Sequence, residues 1–250
     1  MAASGEGLEL SHSESSEMIS RIKLVLDKMA SLSLEAGRPV PRLVAVSKTK
    51  PPEMIRVAHM EGGLLHFGEN YAQELIEKAN HPLLSDLDIR WHFVGHLQRN
   101  KTNQLLSNVP KLWMIETIDT PRLASSVDGA LQRINPDKKL RVLVQVNTSG
   151  EESKHGCQPE DVPSLFEHML SNCSSLNPIG LMTIGRPDHN YQMGPNPDFE
   201  LMKRLRDVLI GRFDLKEVEL SMGMSADYEH AIHEGSTNLR IGSTIFGKRT

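Results

Sequence analysis

The sequence predicts a (β/α)8 barrel, and three observations carry that prediction. Its 250 residues match the length of about 250 that is usual for such a barrel. Eight short, apolar, β-rich segments recur along it, separated by stretches of helical periodicity. Hydrophobic residues make up 38% of the chain, enough for a packed core, and no run approaches transmembrane length. A doubly wound open sheet is the alternative fold with the same alternation of elements.

The first element is a helix that precedes any strand. "SEMISRIKLVLDKMASLS" places Met18, Ile22, Val25 and Met29, with Ile19 and Leu26, along one face. The strand candidates then follow as "LVAVSK" (43–48), "LLHFGEN" (64–70), "RWHFVGHL" (90–97), "LWMIETID" (112–119), "LRVLVQVNTS" (140–149), "IGLMTIG" (179–185), "EVELSMGMS" (217–225) and "NLRIGSTIFG" (238–247). Between the first two, "PPEMIRVAHMEGG" sets Met54, Ile55, Val57 and Ala58 in an amphipathic pattern closed by glycines. Before the seventh strand, "NPDFELMKRLRDVLIGRF" carries a stripe of Phe199, Leu201, Met202, Leu205, Val208 and Leu209 between charges. Little beyond "KRT" follows the eighth strand, so the N-terminal helix is expected to cover the seam that an eighth helix would cover. The expected division is a flexible N-terminus over 1–14 and one barrel domain over 15–250. "GRPDHNYQMGPNPDF" (185–199) is too rich in Pro, Gly and Asn for a regular element and is expected to be a mobile loop at the barrel mouth.

Composition narrows the function. The formal net charge is -4, from 28 basic and 32 acidic residues, and no long basic run occurs, so neither nucleic acid nor an anionic membrane is an expected partner. The cysteines are Cys157 and Cys173, without metal-type spacing, which reads as free structural thiols in a reducing compartment. "MAASGEGLELSHSESSEM" lacks the apolar centre of a signal peptide and has glutamates where a transit peptide has arginines. A soluble, cytoplasmic protein is expected.

In a (β/α)8 barrel the functional groups sit at the carboxyl ends of the strands, and phosphate sites commonly form after strands seven and eight. "VAVSKTKPP" runs an apolar strand into Lys48 and Lys50. A lysine at a strand exit can simply reach solvent; alternatively Lys48, beside the low-dielectric strand end, offers a nucleophilic amine for a Schiff base. Strand two ends on "FGEN", with Asn70 at its mouth. Strand seven runs into "SMGMSADYEHAIHEGS", where Ser225 is expected to cap the next helix and to hold an anion with the free N–H groups nearby. In "RIGST", Gly242, Ser243 and Thr244 offer a second backbone cradle. Either glycine-serine stretch alone reads as an ordinary turn or cap; two such clusters facing one lysine suggest a phosphorylated aldehyde. Arg240 lies inside strand eight, where a guanidinium is costly unless its hydrogen bonds are accepted, and a structural salt bridge is the simplest reading. His92 and His96, four apart in "WHFVGH", would share one strand face, but no suitably spaced third ligand follows, so packing or hydrogen bonding is expected and no metal. Lys154 in "SGEESKHGC" reads as a solvated charge, and no His/Asp arrangement points to Cys157 as a nucleophile.

Taken together, "AVSKTKP", "FGENYAQE", "WHFVGHLQRNK", "VNTSGEESKHG", "GLMTIG", "LSMGMSADYEHAI" and "STNLRIGSTIFG" resemble the pyridoxal phosphate homeostasis protein family, in family order, over residues 40–247. The resemblance implies a single (β/α)8 TIM barrel of the alanine racemase N-terminal type, with the extra N-terminal helix. It implies pyridoxal 5′-phosphate (PLP) as cofactor, in covalent aldimine linkage to Lys48, with Ser225, Gly242 and Ser243 at its phosphate and Arg240 facing its pyridine nitrogen. Asn70 completes the expected cofactor-binding set, whereas Lys50, just before Pro51 and Pro52, is expected to face solvent. A cationic Arg240 leaves the pyridine unprotonated and a poor electron sink. The implied function is therefore to carry or buffer PLP, contributing to vitamin B6 and amino-acid homeostasis without significant catalysis, with PLP-dependent apo-enzymes as candidate recipients. Lys154 would have at most a secondary role in PLP entry or release. A PLP-dependent amino-acid racemase of low activity is the alternative. Racemases take a second acid/base, a tyrosine, from a C-terminal domain of the partner subunit; this chain ends at Thr250 without one, which also leads to the expectation of a monomer. A third possibility, a PLP-independent Schiff-base lyase, would need no pyridine-facing Arg240.

Overall fold

The computed structural model describes residues 10–151, 154–186 and 189–248. The expected flexible segment 1–14 lies outside the described residues as far as position 9. From there helix α1 (His12–Glu35) is already organised by a capping box: Glu14 N donates to Ser11 Oγ at 3.2 Å, and Ser11 N donates back to the Glu14 carboxylate at 3.0 Å. The Ser-x-x-Glu signal thus starts the helix at His12, inside the stretch expected to be flexible.

Eight strands follow, β1 (Arg42–Val46), β2 (His66–Glu69), β3 (Arg90–Phe93), β4 (Leu112–Ile118), β5 (Leu140–Gln145), β6 (Leu176–Met182), β7 (Glu219–Met224) and β8 (Asn238–Ile241). Each pairs in parallel with the next, and β8 returns to β1 from Arg42↔Asn238 to Ala45↔Ile241, so the sheet closes into a barrel and the open-sheet alternative falls. Helices α2 (Pro52–Met60), α3 (Ala72–Ala79), α4 (Thr102–Asn108), α5 (Pro121–Ile134), α6 (Val162–Asn172), α7 (Pro197–Phe213) and α8 (Tyr228–His233) occupy the crossovers, and α9 (Ser243–Phe246) follows β8. Most strand candidates overran at their carboxyl ends: β1 stops at Val46, two residues before Lys48, and the "STIF" of the last candidate is helical. β-Forming residues continue past the rim, where single backbone hydrogen bonds such as Ser47 N to Gly68 O and Val94 N to Glu69 O carry the pairing one residue further before the chain turns away. β6 begins earlier than expected and contains Pro178, tolerated where the pairing with β5 slips between Val142 and Leu143.

Outward-facing strand residues such as Ala45, Phe67, Trp91 and Leu220 join Ile55, Leu75, Phe166 and Phe199 of the helices in a continuous apolar layer. The barrel interior is different, for His92, Glu116, Ser221, Asn238 and Arg240 are buried in it. α9 is a single turn, and α1 does the covering: it packs against α2, α8 and α9, buries Met18, Ile22, Val25 and Met29, and Arg21 Nε donates to Ile245 O at 2.8 Å. Among the described residues, no helix is long and apolar enough to cross a membrane.

If α1 is part of the core, Ile22→Ala should lower unfolding stability by about 2–5 kcal/mol, measured by urea denaturation. A change within about 0.5 kcal/mol would make α1 an appendage.

Candidate functional site

A cavity of about 380 Å³ opens at the carboxyl ends of the strands, and Lys48, Asn70, Ser225, Arg240, Gly242 and Ser243 all line it. Val46, Val94, Met182 and Met224 supply apolar wall between them.

On the β1 side, the chain leaves the barrel in a turn closed by Lys50 N donating to Ser47 O at 3.0 Å, with Thr49 at φ 64°. A left-handed conformation is unfavourable for threonine, and charged partners hold it. Thr49 N donates to Glu74 Oε1 at 2.6 Å, and buried Lys78 Nζ donates to Ser47 O at 2.8 Å, Glu69 Oε1 at 2.7 Å and Glu74 Oε1 at 2.6 Å. This bracket lies between the barrel wall and α3, behind half-buried Lys48. Burial pushes the Glu69 carboxyl up to about 7, against the pull of Lys78. Lys50 does not simply face solvent as expected: the turn brings it back over the rim, where it is half-buried, lines the cavity and donates from Nζ to Lys248 O at 3.0 Å.

Asn70 is held by close backbone approach. A Cβ on Gly95 would fall inside the contact radius of Asn70 O, so only glycine lets the exit of β3 press against it. Asn70 Oδ1 is buried without a hydrogen-bond partner among the described residues.

On the opposite side Ser225 does not cap α8. Asp227 stands at that position and its carboxylate accepts from Met224 N at 2.6 Å, while Ser225 Oγ accepts from Gly242 N at 3.3 Å and Thr244 N at 3.4 Å. The serine therefore ties the exit of β7 to that of β8, because the barrel closes these two exits together. A Cβ on Gly242 would lie 3.1 Å from Val46 O, so the cradle is floored by backbone.

Arg240 makes no direct salt bridge among the described residues; its charge is compensated through a relay. Nη2 donates to Thr183 O at 2.7 Å and Nη1 to Ser221 Oγ at 2.6 Å, and Ser221 Oγ donates to Glu116 Oε2 at 2.5 Å. Asn238 Nδ2 donates to both Glu116 oxygens, at 3.0 and 3.1 Å. Glu116 Oε1 also lies 2.6 Å from His92 Nδ1, and His92 Nε2 2.8 Å from His66 Nδ1. Burial alone would push the Glu116 carboxyl up, but His92, Arg240 and Ser221 outweigh it and hold it down to about 2. Burial, with His92 alongside, pulls His66 down to about 3. Burial also lowers Arg240, opposed by Glu116 and Asp227. Sequence reading missed Glu116 and Ser221, although single polar residues inside "LWMIETI" and "ELSMGM" were a signal of inward-facing polar positions.

His92 and His96 do not share a strand face, because β3 ends at Phe93; His92 is buried and His96 lies on the exposed rim. Lys154 is not a solvated charge: its Nζ donates to Glu151 at 2.6 Å and to Gly185 O at 3.0 Å, joining two rim loops. Cys157 is buried, and burial together with Asp161 and Asp119 pushes its thiol up to about 12, in line with a structural role. In the 185–199 segment Pro187 and Asp188 lie outside the described residues; until α7 begins the rest is irregular apart from a 3-10 turn at Tyr191–Met193, which Asn190 opens by accepting from Gln192 N at 3.0 Å, and Tyr191 stacks on His230 at 3.5 Å.

No family model matches the sequence. The chain is similar to the human pyridoxal phosphate homeostasis protein, 52% identical over 213 residues that span 84% of this chain and 77% of that protein. A structure of PipY from Synechococcus elongatus with PLP bound superposes with a TM-score of 0.77 at 28% identity, over 92% of this chain and 100% of that one. Alanine racemase of Clostridium difficile shares the fold, with a TM-score of 0.67 at 14% identity over 92% of this chain and 57% of the racemase.

The buried network predicts an acid-labile barrel. Glu116 has a folded pKa below its ordinary 4.5, so its stabilisation is complete above that value and is lost as pH falls through about 2. At about 1.4 kcal/mol per pKa unit the loss amounts to about 3 kcal/mol. His66, lowered from 6.5 to about 3, adds a loss of the same sign that begins below pH 6.5. Urea unfolding across this range should show stability falling with pH, and Glu116→Gln, weaker at neutral pH, should have a shallower fall below 4.5, keeping only the part that His66 contributes down to about 3. An unchanged acid slope in that variant would contradict the assignment.

Proposed function

The chain belongs to the pyridoxal phosphate homeostasis protein family, and on that premise we propose that it binds PLP in the strand-end cavity and carries or buffers it rather than catalysing an amino-acid reaction. The observation that supports this most is the convergence of the Lys48 amine, one fixed guanidinium and one backbone cradle, contributed by the adjacent exits of β1, β8 and β7.

The residues fit PLP. The Gly242–Ser243 backbone, with the Ser225 hydroxyl, supplies close-approach donors for a phosphate, and Ser243 opens α9, so its N–H lacks an acceptor within that helix. Arg240 supplies a donor for a ring nitrogen, the apolar walls suit a flat ring, and Asn70 Oδ1 is a buried acceptor awaiting a donor. PLP when bound supplies an aldehyde that an amine can hold as an imine, and Lys48 is the amine we assign. Arg240 stays cationic and has no basic lone pair, so it does not become a proton donor to the ring in the manner of a carboxylic acid.

The carrier reading is preferred over the racemase because racemisation needs proton transfer on both faces of the substrate carbon. Among the described residues, the titratable side chains lining the cavity are Lys48, Lys50 and Arg240 and no tyrosine lines it, and the Lys50 ammonium is directed to Lys248 O. An aldolase-type lyase would have no use for a cation buried as Arg240 is. The two buried cysteines and the charge balance support a cytoplasmic setting, and we assign PLP-dependent apo-enzymes as recipients and a monomer as the working form, which sedimentation would check.

Purified protein incubated with PLP should absorb in the visible, and borohydride followed by peptide mass analysis should find the pyridoxyl group on Lys48. Recovery on Lys50 or Lys154 would overturn the assignment. Lys48→Ala should lose the absorbance and keep cooperative unfolding. Ser225→Ala should weaken PLP roughly 10- to 100-fold, the range for a hydrogen bond to a charged group, and leave pyridoxal little changed; equal weakening would remove Ser225 from the phosphate site. Amino-acid racemisation followed by chiral chromatography should fall well below ordinary enzyme rates, since a missing acid/base group costs about 10²- to 10⁴-fold. Ordinary rates abolished by Lys48→Ala would favour the racemase.

A further inference from the structure

We propose that His96, Asp119 and His155 form a binding site for a divalent first-row metal ion, with zinc as the best-matched probe, on the rim of the barrel outside the Lys48 cavity. The three residues come from successive strand exits: His96 after β3, Asp119 directly after β4, and His155 from the loop after β5. Their candidate ligand atoms all lie within 4.8 Å of one another. The two imidazole rings stack with centroids 3.7 Å apart and planes 9° from parallel, and His96 Nδ1 lies 3.7 Å from Asp119 Oδ2. None of the three lines the PLP cavity, so the site stands whether or not the cofactor reading does.

The neighbours leave these groups without other partners. The Asp119 side chain is only 12% exposed, yet its carboxylate accepts no hydrogen bond from the described residues, and its ionic contact is His96, too long for a hydrogen bond. No hydrogen bond among the described residues engages a ring nitrogen of His96 or His155 either; His155 is held by its backbone, whose carbonyl accepts from Gln145 Nε2 at 3.1 Å. A largely buried carboxylate beside two unengaged imidazoles is a set of groups lacking one shared partner.

Two imidazoles and one carboxylate match the ligand set of zinc sites that keep an open position, here left for water. The nitrogen content selects zinc or cobalt over magnesium or calcium, which prefer oxygen. Metal–ligand bonds of about 2.0–2.2 Å put ligand atoms roughly 3–3.5 Å apart in a tetrahedral site. The cluster must therefore contract modestly, and both histidines are exposed and free to rotate. Cys157 borders the same groove as Asp119 but does not belong to the group of ligand atoms within 4.8 Å of one another. Arg99 and Arg122 border the groove on the His96 side and Asp161 the groove on the other, so affinity reflects opposing charges. The sequence hid the site because its ligands are distant in the chain, and the pair that drew notice, His92 and His96, is divided between barrel interior and rim.

Zinc alone would be titrated into the untagged protein, PLP-free and PLP-loaded, in competition with a chromophoric chelator, and cobalt binding followed by its visible bands in the PLP-free form. One equivalent should bind in both forms. His96→Ala, Asp119→Asn and His155→Ala should each weaken it by at least about tenfold, a change of about 1.4 kcal/mol, without changing PLP content, while His233→Ala on the surface should have no effect. Absence of stoichiometric zinc, or equal affinity in wild type and His155→Ala, would overturn the proposal; His155 is exposed, so loss of fold would not confuse the result.

Discussion

A guanidinium buried inside a closed barrel is the constraint on which the rest of this structure depends. Arg240 sits in β8 with its head group away from bulk water, and a buried charge is strongly unfavourable unless it is hydrogen-bonded and balanced. Balance comes from Glu116 across the barrel, relayed by Ser221, and Glu116 is in turn held by Asn238 and His92. One charge thus commits one inward position or more on each of β3, β4, β7 and β8 to polar residues, while the main apolar core lies between strands and helices and a small separate cluster of Met114, Leu143 and Met182 is buried apart from it.

The second fixed point lies outside the barrel wall. Lys78 draws together Ser47, Glu69 and Glu74, and Glu74 also holds the N–H of left-handed Thr49, so the turn that carries Lys48 is anchored by charge rather than by ladder pairing. These two networks, one inside the wall and one behind it, set the cation and the amine on neighbouring strands at the mouth of a single cavity. The cradle between them is softer: Ser225 accepts at 3.3 and 3.4 Å, near the limit for a hydrogen bond.

Much of this was legible in the sequence. The alternation of elements gave the barrel, the strand-exit rule directed attention to Lys48, Asn70, Ser225, Gly242 and Ser243, the cost of a charge inside strand eight and the family resemblance singled out Arg240, and all six line one cavity. The errors have a common origin in interactions that local sequence does not encode. Strand propensity carries β1 to Lys48 because it does not register the turn that Lys50 N closes on Ser47 O. Ser225 looked like a helix cap because its neighbours in sequence were considered, whereas its partners are Gly242 and Thr244 across the barrel seam. Lys50 was assigned to solvent from two following prolines, with nothing local to place Lys248 O beside its ammonium. The capping box at Ser11 and Glu14 is the converse case: a fully local signal that was present and overlooked.

The most direct test of this design is the protonation state of the cofactor nitrogen opposite Arg240. PLP labelled with nitrogen-15 in its ring would be bound to the wild-type protein and to Glu116→Gln, and the nitrogen shift recorded across the pH range in which the protein is folded. The expected result is an unprotonated pyridine throughout in the wild type, with the shift responding when the Glu116 charge that orients Arg240 is removed. A ring nitrogen that is protonated at neutral pH in the wild type would contradict the assignment of Arg240 and, with it, the reading of this barrel as a holder of PLP rather than a catalyst.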